Sequence, residues 1–477
     1  MVYIIPILKF IATLDLPDKN NNLYNTQPMK QIKFMLALCY TICILAACHD
    51  TDGDIISNAD KEQGKSILLS QNEYQSIAND NPTELTSNEI NHLINNFALT
   101  KSKSRRTSST DFKIISKYYL SDSSKSRSVN TIRKDSIPIV KVSANNNDIF
   151  YLSIDTRYPK VLAYMPNSKD STFQNAMLAM SEKMVYSQIL QIEHLRDSLR
   201  ESTIQKVKTK LGIIEQNYDF NKIKRYISIE GQCSSRANVI EYPTGKILQA
   251  YGPFLETKWG SDAPYNNMMP TVSCSDLWWT DQYPVGVIAV AAAQILAYYE
   301  PALSIGKYTM NWAYLKEKPE IVEPNYFVSG DPLDKREMIA SLMKYCSDCC
   351  EITYNCTTSS YYMTTVRNFL SRFGIDMDNS TAFNINTVKA SIEEVRMVLC
   401  QGVTTTGGGH SWILDGYTLV KSGSLYYETD AYLHANMCMG SSGTGYYLVN
   451  SDNSISFNTG FAEFATNISM YANIKHN

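Results

Sequence analysis

The side chains able to act as nucleophiles, bases or soft metal ligands are few: six histidines and eleven cysteines among 477 residues. Cys39, Cys43 and Cys48 lie near the N-terminus, which leaves eight cysteines for the body of the chain. Cys346, Cys349, Cys350 and Cys356 are crowded enough to suggest zinc, but the cluster carries no histidine and follows the helical pattern Met338 to Met343. No metal and no cofactor are expected; free buried thiols and a local disulfide both stay open. His410 follows two glycines in Gly408-Gly409-His410-Ser411-Trp412-Ile413-Leu414-Asp415-Gly416-Tyr417, a setting that gives an imidazole room to face a partner. Gly286-Val287-Ile288-Ala289-Val290-Ala291-Ala292-Ala293-Gln294-Ile295-Leu296 reads as the start of a helix buried on nearly all sides, since close packing needs short side chains. A thiol at such a helix N-terminus ionises easily, because free backbone N–H groups and the helix dipole stabilise negative charge there. Val287 has no proton to lose and no lone pair to attack with.

The Gly286 segment resembles the active-site helix of the streptopain-like cysteine peptidases, where Gly-Cys-Val-Ala is followed by Thr-Ala, a variable residue and Ala-Gln-Ile. The resemblance implies that Val287 occupies the nucleophile position. The His410 segment is similar to the family's Gly-Gly-His-Ala-Trp-Val-x-Asp-Gly-Tyr, which implies the general-base position for His410. His434-Ala435-Asn436-Met437-Cys438-Met439-Gly440 resembles His-x-Asn-Trp-Gly-Trp-Gly, so Asn436 matches the residue that orients the base through a side-chain carbonyl. The two tryptophans that shield the base are Met437 and Met439 here, and a glycine is Cys438. Gly252 to Ser261, with Pro264-Tyr265-Asn266, looks like Pro-Leu-Leu-x-Thr-x-Trp-Gly-Gln with Pro-Tyr-Asn, and puts Ser261 at the oxyanion-donor position. Its arm is shorter than glutamine's, and losing one such donor costs about 10²–10³ in rate. Cys274, 13 positions before Val287, lies in a Ser/Asp-containing loop with nothing to lower its pKa.

Other elements must position these groups. Ile90, Leu93, Ile94 and Phe97 share one helix face. Ile137 to Val142 and Ile149 to Ile154 are β-rich runs separated by Asn145-Asn146-Asn147-Asp148, a hairpin signal. This stretch, through Val161-Leu162-Ala163-Tyr164, resembles the end of the same family's propeptide-like inhibitor domain. Residues 172–211 read as a long amphipathic helix that packs as a connector, because its apolar repeat spans only about two heptads. The fold class expected is α+β: a papain-like two-lobed peptidase fold, with a central helix on an antiparallel sheet, preceded by a small α+β propeptide-like domain.

A net charge of −3 gives no reason to expect nucleic acid as a partner, and 44% hydrophobic with 19% charged residues describe a globular chain. Lys30 and Lys33 precede an uncharged run, Phe34 to Ala47, too short for a comfortable membrane span and suited to a signal peptide. It ends in Leu45-Ala46-Ala47-Cys48, which looks like a bacterial lipobox with Cys48 as the lipidated residue, and Met29 is the expected start. The organisation expected is a leader (1–48), a tether (49–65), a propeptide-like domain (66–166), a helical connector (167–225) and a peptidase-like domain (226–477). Basic, Ser-rich loops carry Lys101, Lys103, Arg105 and Arg106, and then Lys125 and Arg127.

With nucleophile, oxyanion donor and aromatic shield all altered, the expectation is an exported, lipid-anchored pseudopeptidase of the bacterial cell envelope. Its partners would be a peptide or protein in the cleft, its own propeptide-like domain, and a membrane through the lipid anchor alone. Two readings compete: an active endopeptidase using Cys438 or Cys274, and a protease inhibitor or decoy acting through the propeptide-like domain.

Overall fold

In this computed structural model the described residues are 66–78, 82–97, 112–120, 136–144, 147–168, 176–213, 219–230, 246–272, 282–354, 359–403, 409–421, 429–449 and 468–477. The expected leader, tether, Cys48, Cys274, Cys356 and both basic loops lie outside them. The N-terminal part contains β1 (Ile67–Leu69), α1 (Gln71–Ala78), α2 (Ser87–Asn95), β2 (Lys113–Leu120), β3 (Ile137–Ala144), β4 (Asp148–Ser153) and β5 (Lys160–Met165). A 36-residue helix, α3 (Ala176–Leu211), follows, then α4 (Phe220–Ile223) and β6 (Ile227–Ile229).

Local sequence accounts for several of these. Thr86 and Glu89 form a reciprocal capping box at the start of α2, satisfying two otherwise orphaned N–H groups. Ile90, Leu93 and Ile94 of that helix are buried, and Phe97 is buried just past its end. The hairpin runs from β3 to β4 with Ala144 opposite Asp148, and Asn147 adopts φ 64° at the turn. Asparagine tolerates that left-handed conformation better than most residues.

The C-terminal part contains β7 (Lys246–Tyr251), the central helix α5 (Val287–Tyr299), β8 (Ser304–Ile305), β9 (Tyr308–Thr309), α6 (Trp312–Leu315) and α7 (Leu333–Cys349). Then come β10 (Thr353–Tyr354), β11 (Ser359–Ser360), α8 (Met363–Ser371), β12 (Ile375–Asp376), β13 (Thr381–Ala382) and α9 (Ile385–Glu393). The long strands close the chain: β14 (Met397–Val403), β15 (Gly409–Lys421), β16 (Thr429–Asn436), β17 (Gly445–Val449) and β18 (Ser469–His476).

The fold is α+β, with a central helix packed on an antiparallel sheet. Among the described residues one sheet runs β12-β18-β14-β15-β16-β17-β5-β4-β3-β2, with β13 added on β18 and β7 on β15. The join between its halves is β17 with β5, where Tyr446 faces Tyr164 and Tyr447 faces Ala163. A single apolar core runs across that join, from Leu85, Phe150, Leu162 and Val185 to Trp412, Tyr432 and Leu448. Buried polar groups fasten it: Lys160 Nζ lies 2.9 Å from both carboxylate oxygens of Asp430, and the Tyr432 hydroxyl donates to the Val161 carbonyl. The first half of α3 packs on the same core, and its Ser181 hydroxyl donates to the Leu448 carbonyl. Its last turns pack on α1 instead, with Ile204, Val207 and Leu211 against Tyr74 and Ile77.

A second core surrounds α5, whose residues Ile288 to Ala297 are all buried. Its neighbours include α7, α8 and β15. No helix among the described residues is long and apolar enough to cross a membrane.

Candidate functional site

Val287 is the first residue of α5, after Gly286, which caps the helix without a side chain. The valine is half-buried and packs on the helical core. Gly286 is closely approached: a Cβ would lie 3.1 Å from both the Ile352 Cδ1 and the Ser359 Oγ atoms. The connector between α7 and α8 therefore lies against the helix N-terminus. This end of α5 offers the N–H groups that would stabilise a thiolate, and presents two methyl groups in its place.

His410 is the second residue of β15, paired with Gly402 of β14, and is 6% exposed. Its Nε2 lies 3.0 Å from the Met437 carbonyl oxygen. A carbonyl can only accept, so Nε2 carries the proton and the neutral ring keeps its lone pair on Nδ1. Burial pushes the imidazole pKa down to about 4, against a smaller opposing effect of the Met437 hydrogen bond. The ring stacks near Trp412, and the neighbouring Ser411 hydroxyl is 2.6 Å from the Tyr361 hydroxyl.

Asn436, at the end of β16, hydrogen-bonds with Cys438, Gln294 and Thr257. Its Oδ1 accepts from the Cys438 backbone N–H at 3.0 Å and from Gln294 Nε2 at 3.2 Å, which uses both lone pairs of the amide oxygen. Its Nδ2 donates to the Thr257 carbonyl at 2.8 Å. The acceptor that the resemblance leads one to expect for His410 is thus a side-chain carbonyl, while the structure supplies the main-chain carbonyl one residue later.

Gln294 is a polar group to which the sequence motifs assign no role. It is fully buried, and its Oε1 accepts from the Thr257 hydroxyl (2.9 Å), the Trp259 N–H (3.1 Å) and Asn436 Nδ2 (3.2 Å). One side chain so ties the central helix to the 257–259 segment and to β16. The signal for it in the sequence is an amide in a run of alanines and aliphatics, a composition that buries whatever it contains.

A second buried pair has no local sequence signal. Asp415 sits at a bulge where β15 slips against β16, and its Oδ1 is 2.5 Å from His434 Nδ1. The other carboxylate oxygen accepts from the Leu255 N–H at 2.9 Å. Gly252 passes so close that a Cβ there would fall 2.1 Å from the Asp415 carbonyl oxygen, and its φ is +70°. Only glycine fits both demands.

Ser261 is half-buried just before the 262–268 turn, and its carbonyl accepts from Val285 N–H at 2.8 Å. The Ser261 segment and the entry to α5 are therefore adjacent. Met437 is buried and Met439 half-buried. Cys438 is fully buried at φ 57°, with its sulfur 3.4 Å from Gln294 Nε2, and burial pushes its thiol far above the usual range. Cys346, Cys349, Cys350 and Cys400 are free thiols alongside it, so no disulfide links the described part of the cysteine cluster. No group of three or more metal-binding side chains occurs among the described residues.

The comparisons with known proteins bear on this arrangement. The Peptidase C10 family model matches residues 259–447, a span that starts at Trp259 and takes in Val287, His410 and Asn436. Over those residues the chain is similar to the Peptidase C10 family. This is the streptopain-like group to which the motifs point. Two solved structures are similar to the chain. A prointerpain A fragment of Prevotella intermedia shares 16% identity over 71% of this chain and 96% of its own, with a TM-score of 0.42. The active wild-type interpain A cysteine protease of Prevotella intermedia shares 18% identity over 49% of this chain and 97% of its own, with a TM-score of 0.34. No curated protein sequence matches the chain.

Proposed function

We propose that this C10-like chain is a pseudopeptidase: a cell-envelope lipoprotein, anchored through Cys48, whose cleft binds a peptide or protein segment without hydrolysing it. The observation that carries the reading is Val287 at the N-terminus of the buried helix, where the chemistry requires a thiol. Three further features support it. Burial lowers the His410 pKa to about 4, which makes its imidazole a weak base. Serine stands at the oxyanion position, on a shorter arm than glutamine. The Cys438 thiol is buried and hard to ionise, which argues against it as a substitute nucleophile.

The test uses the mature chain purified without its leader, incubated with casein and with a thiol-directed epoxide probe. The expected result is no cleavage and no labelling, together with retention of fluorescein-labelled casein peptides that a Val287→Trp variant weakens. Cleavage or labelling that disappears when a single cysteine is replaced would overturn the reading.

A further inference from the structure

Residues 323–330, between α6 and α7, form a closed loop with its own neck. The Asp331 N–H donates to the Val322 carbonyl and the Val322 N–H to the Asp331 carboxylate, both at 2.8 Å. Gly330, at φ +69°, passes so close to Pro324 that a Cβ would lie 2.5 Å from the proline nitrogen, so only glycine fits the crossing. Asn325 to Val328 turn at the far end. The Asn325 N–H donates to the Val328 carbonyl at 2.8 Å, and the Asn325 side-chain oxygen accepts from the Phe327 and Val328 N–H groups at 2.8 and 2.9 Å. An asparagine side chain is well suited to closing its own turn in this way.

What the turn displays is apolar. Tyr326 is 95% exposed and Phe327 89%, with their rings edge-to-face at 5.1 Å, and Val328 is exposed beside them. No large apolar side chain among the described residues is more exposed than these two aromatics. The stretch 324–330 carries no charge. The acidic residues that flank it are neutralised within the protein: Glu323 pairs with Arg336, and Asp331 with Lys335 at 3.5 Å and Lys318 at 3.6 Å. Hydrocarbon asks of an entering segment that charge be absent and that backbone polar groups be satisfied internally. The turn meets the first demand, and its Asn325, Phe327 and Val328 N–H groups meet the second without any outside partner. A phenol beside a phenyl ring also suits the depth gradient of a bilayer surface, with the hydroxyl among headgroups and the phenyl deeper. The closed neck holds the tip in one shape, so little conformational freedom is lost on insertion.

We infer that the 323–330 loop is a membrane-contact element, whose Tyr326, Phe327 and Val328 side chains insert into the surface of a lipid bilayer. The contact is apolar and does not depend on anionic lipid. It is separate from the acyl anchor proposed at Cys48 and from the peptidase-like cleft, and needs neither.

Co-sedimentation of the mature chain, made without leader or acyl group, with phosphatidylcholine vesicles tests the inference. Half-saturation at ~1 mM lipid is expected, weaker than a single acyl chain gives, and added sodium chloride leaves it unchanged. Tyr326→Ser/Phe327→Ser is expected to weaken binding at least tenfold. Both side chains are almost fully exposed, and an unchanged thermal melt checks that the variant folds. Phe327→Trp gives a second readout: its added emission is expected to shift to the blue with vesicles and to be quenched by lipids brominated on the acyl chains. No binding up to ~10 mM lipid, binding that the serine variant leaves unchanged, or binding that needs anionic lipid and disappears in salt overturns the inference. A concentration-dependent dimer formed without lipid and abolished by the serine variant also overturns it, and makes a second copy of the chain the occupant.

Discussion

His410 Nε2 and the Met437 carbonyl oxygen stand 3.0 Å apart, so the base-position imidazole is oriented by the backbone of the residue that follows Asn436. The ring is fixed in one neutral tautomer with its lone pair on Nδ1. That is the state a general base needs, and the residue that the resemblance sets at the nucleophile position is Val287. The remaining machinery is thus testable by repair.

Val287→Cys combined with Ser261→Gln is expected to make the chain label with a thiol-directed epoxide. The new thiol sits at a helix N-terminus, which favours its ionised form. Adding His410→Ala to the pair is expected to slow labelling at least tenfold, read by mass spectrometry over time. Equal labelling with and without His410 would show that the imidazole does not reach the helix terminus.

The pH dependence of stability follows from burial of the same ring. Its pKa in the folded state, about 4, is below the ordinary value of 6.5, so the unfolded chain binds the extra proton between those limits. Stability from this group is full above about pH 6.5 and is lost as pH falls toward 4, by ~3 kcal/mol at most. Glu182, raised to about 7 by burial despite its hydrogen bond from Tyr118, acts in the opposite sense. The informative quantity is therefore the difference between the natural chain and His410→Gln: urea midpoints are expected to converge between pH 6.5 and 4.

Lys160 and Asp430 are 7% and 6% exposed in their side chains and join β5 to β16. Lys160→Met leaves a buried carboxylate without its cation, which costs about 3–5 kcal/mol. Lys160→Met with Asp430→Leu is expected to recover most of that, because two apolar groups replace the pair. Chemical denaturation of both variants at neutral pH measures the difference.

Residues 226–477 alone are expected not to fold to a soluble monomer. Cutting away the N-terminal strands exposes the edge of β17 and opens the core shared by Leu162, Tyr164, Tyr432 and Leu448. Size-exclusion chromatography and amide-proton dispersion of the shortened chain, against the full mature one, are the measurement. Because the proposed pseudopeptidase cannot cleave itself, the mature protein is expected to run as one unprocessed chain on a denaturing gel.

Much of the site is legible in the amino-acid sequence. The alanine-rich run after Gly286 reads as a buried helix because Gln294 is its one polar side chain, and Gly409 opens the strand that carries His410. The amphipathic spacing of Ile90, Leu93, Ile94 and Phe97 reads directly as one buried face. The partner of Asn436 is not legible there. An asparagine at a strand end has several carbonyls and amides in reach, and only the approach of Gln294 and Thr257 from distant segments selects among them. The Asp415–His434 pair is hidden for a similar reason: a one-residue bulge decides which way the carboxylate points.

The sequence by itself determined which side chains stand in the matched segments, valine at position 287 and histidine at 410 among them, because residue type sets which atoms can ionise, attack or donate. Only the tertiary structure decided that the N-terminal strands and the peptidase-family strands share one sheet and one core. Backbone pairing between β5 and β17 joins segments some 280 residues apart in the chain, and contacts at that separation depend on how whole elements pack rather than on any local pattern. The same packing seals His410 from water, and so sets its proton affinity.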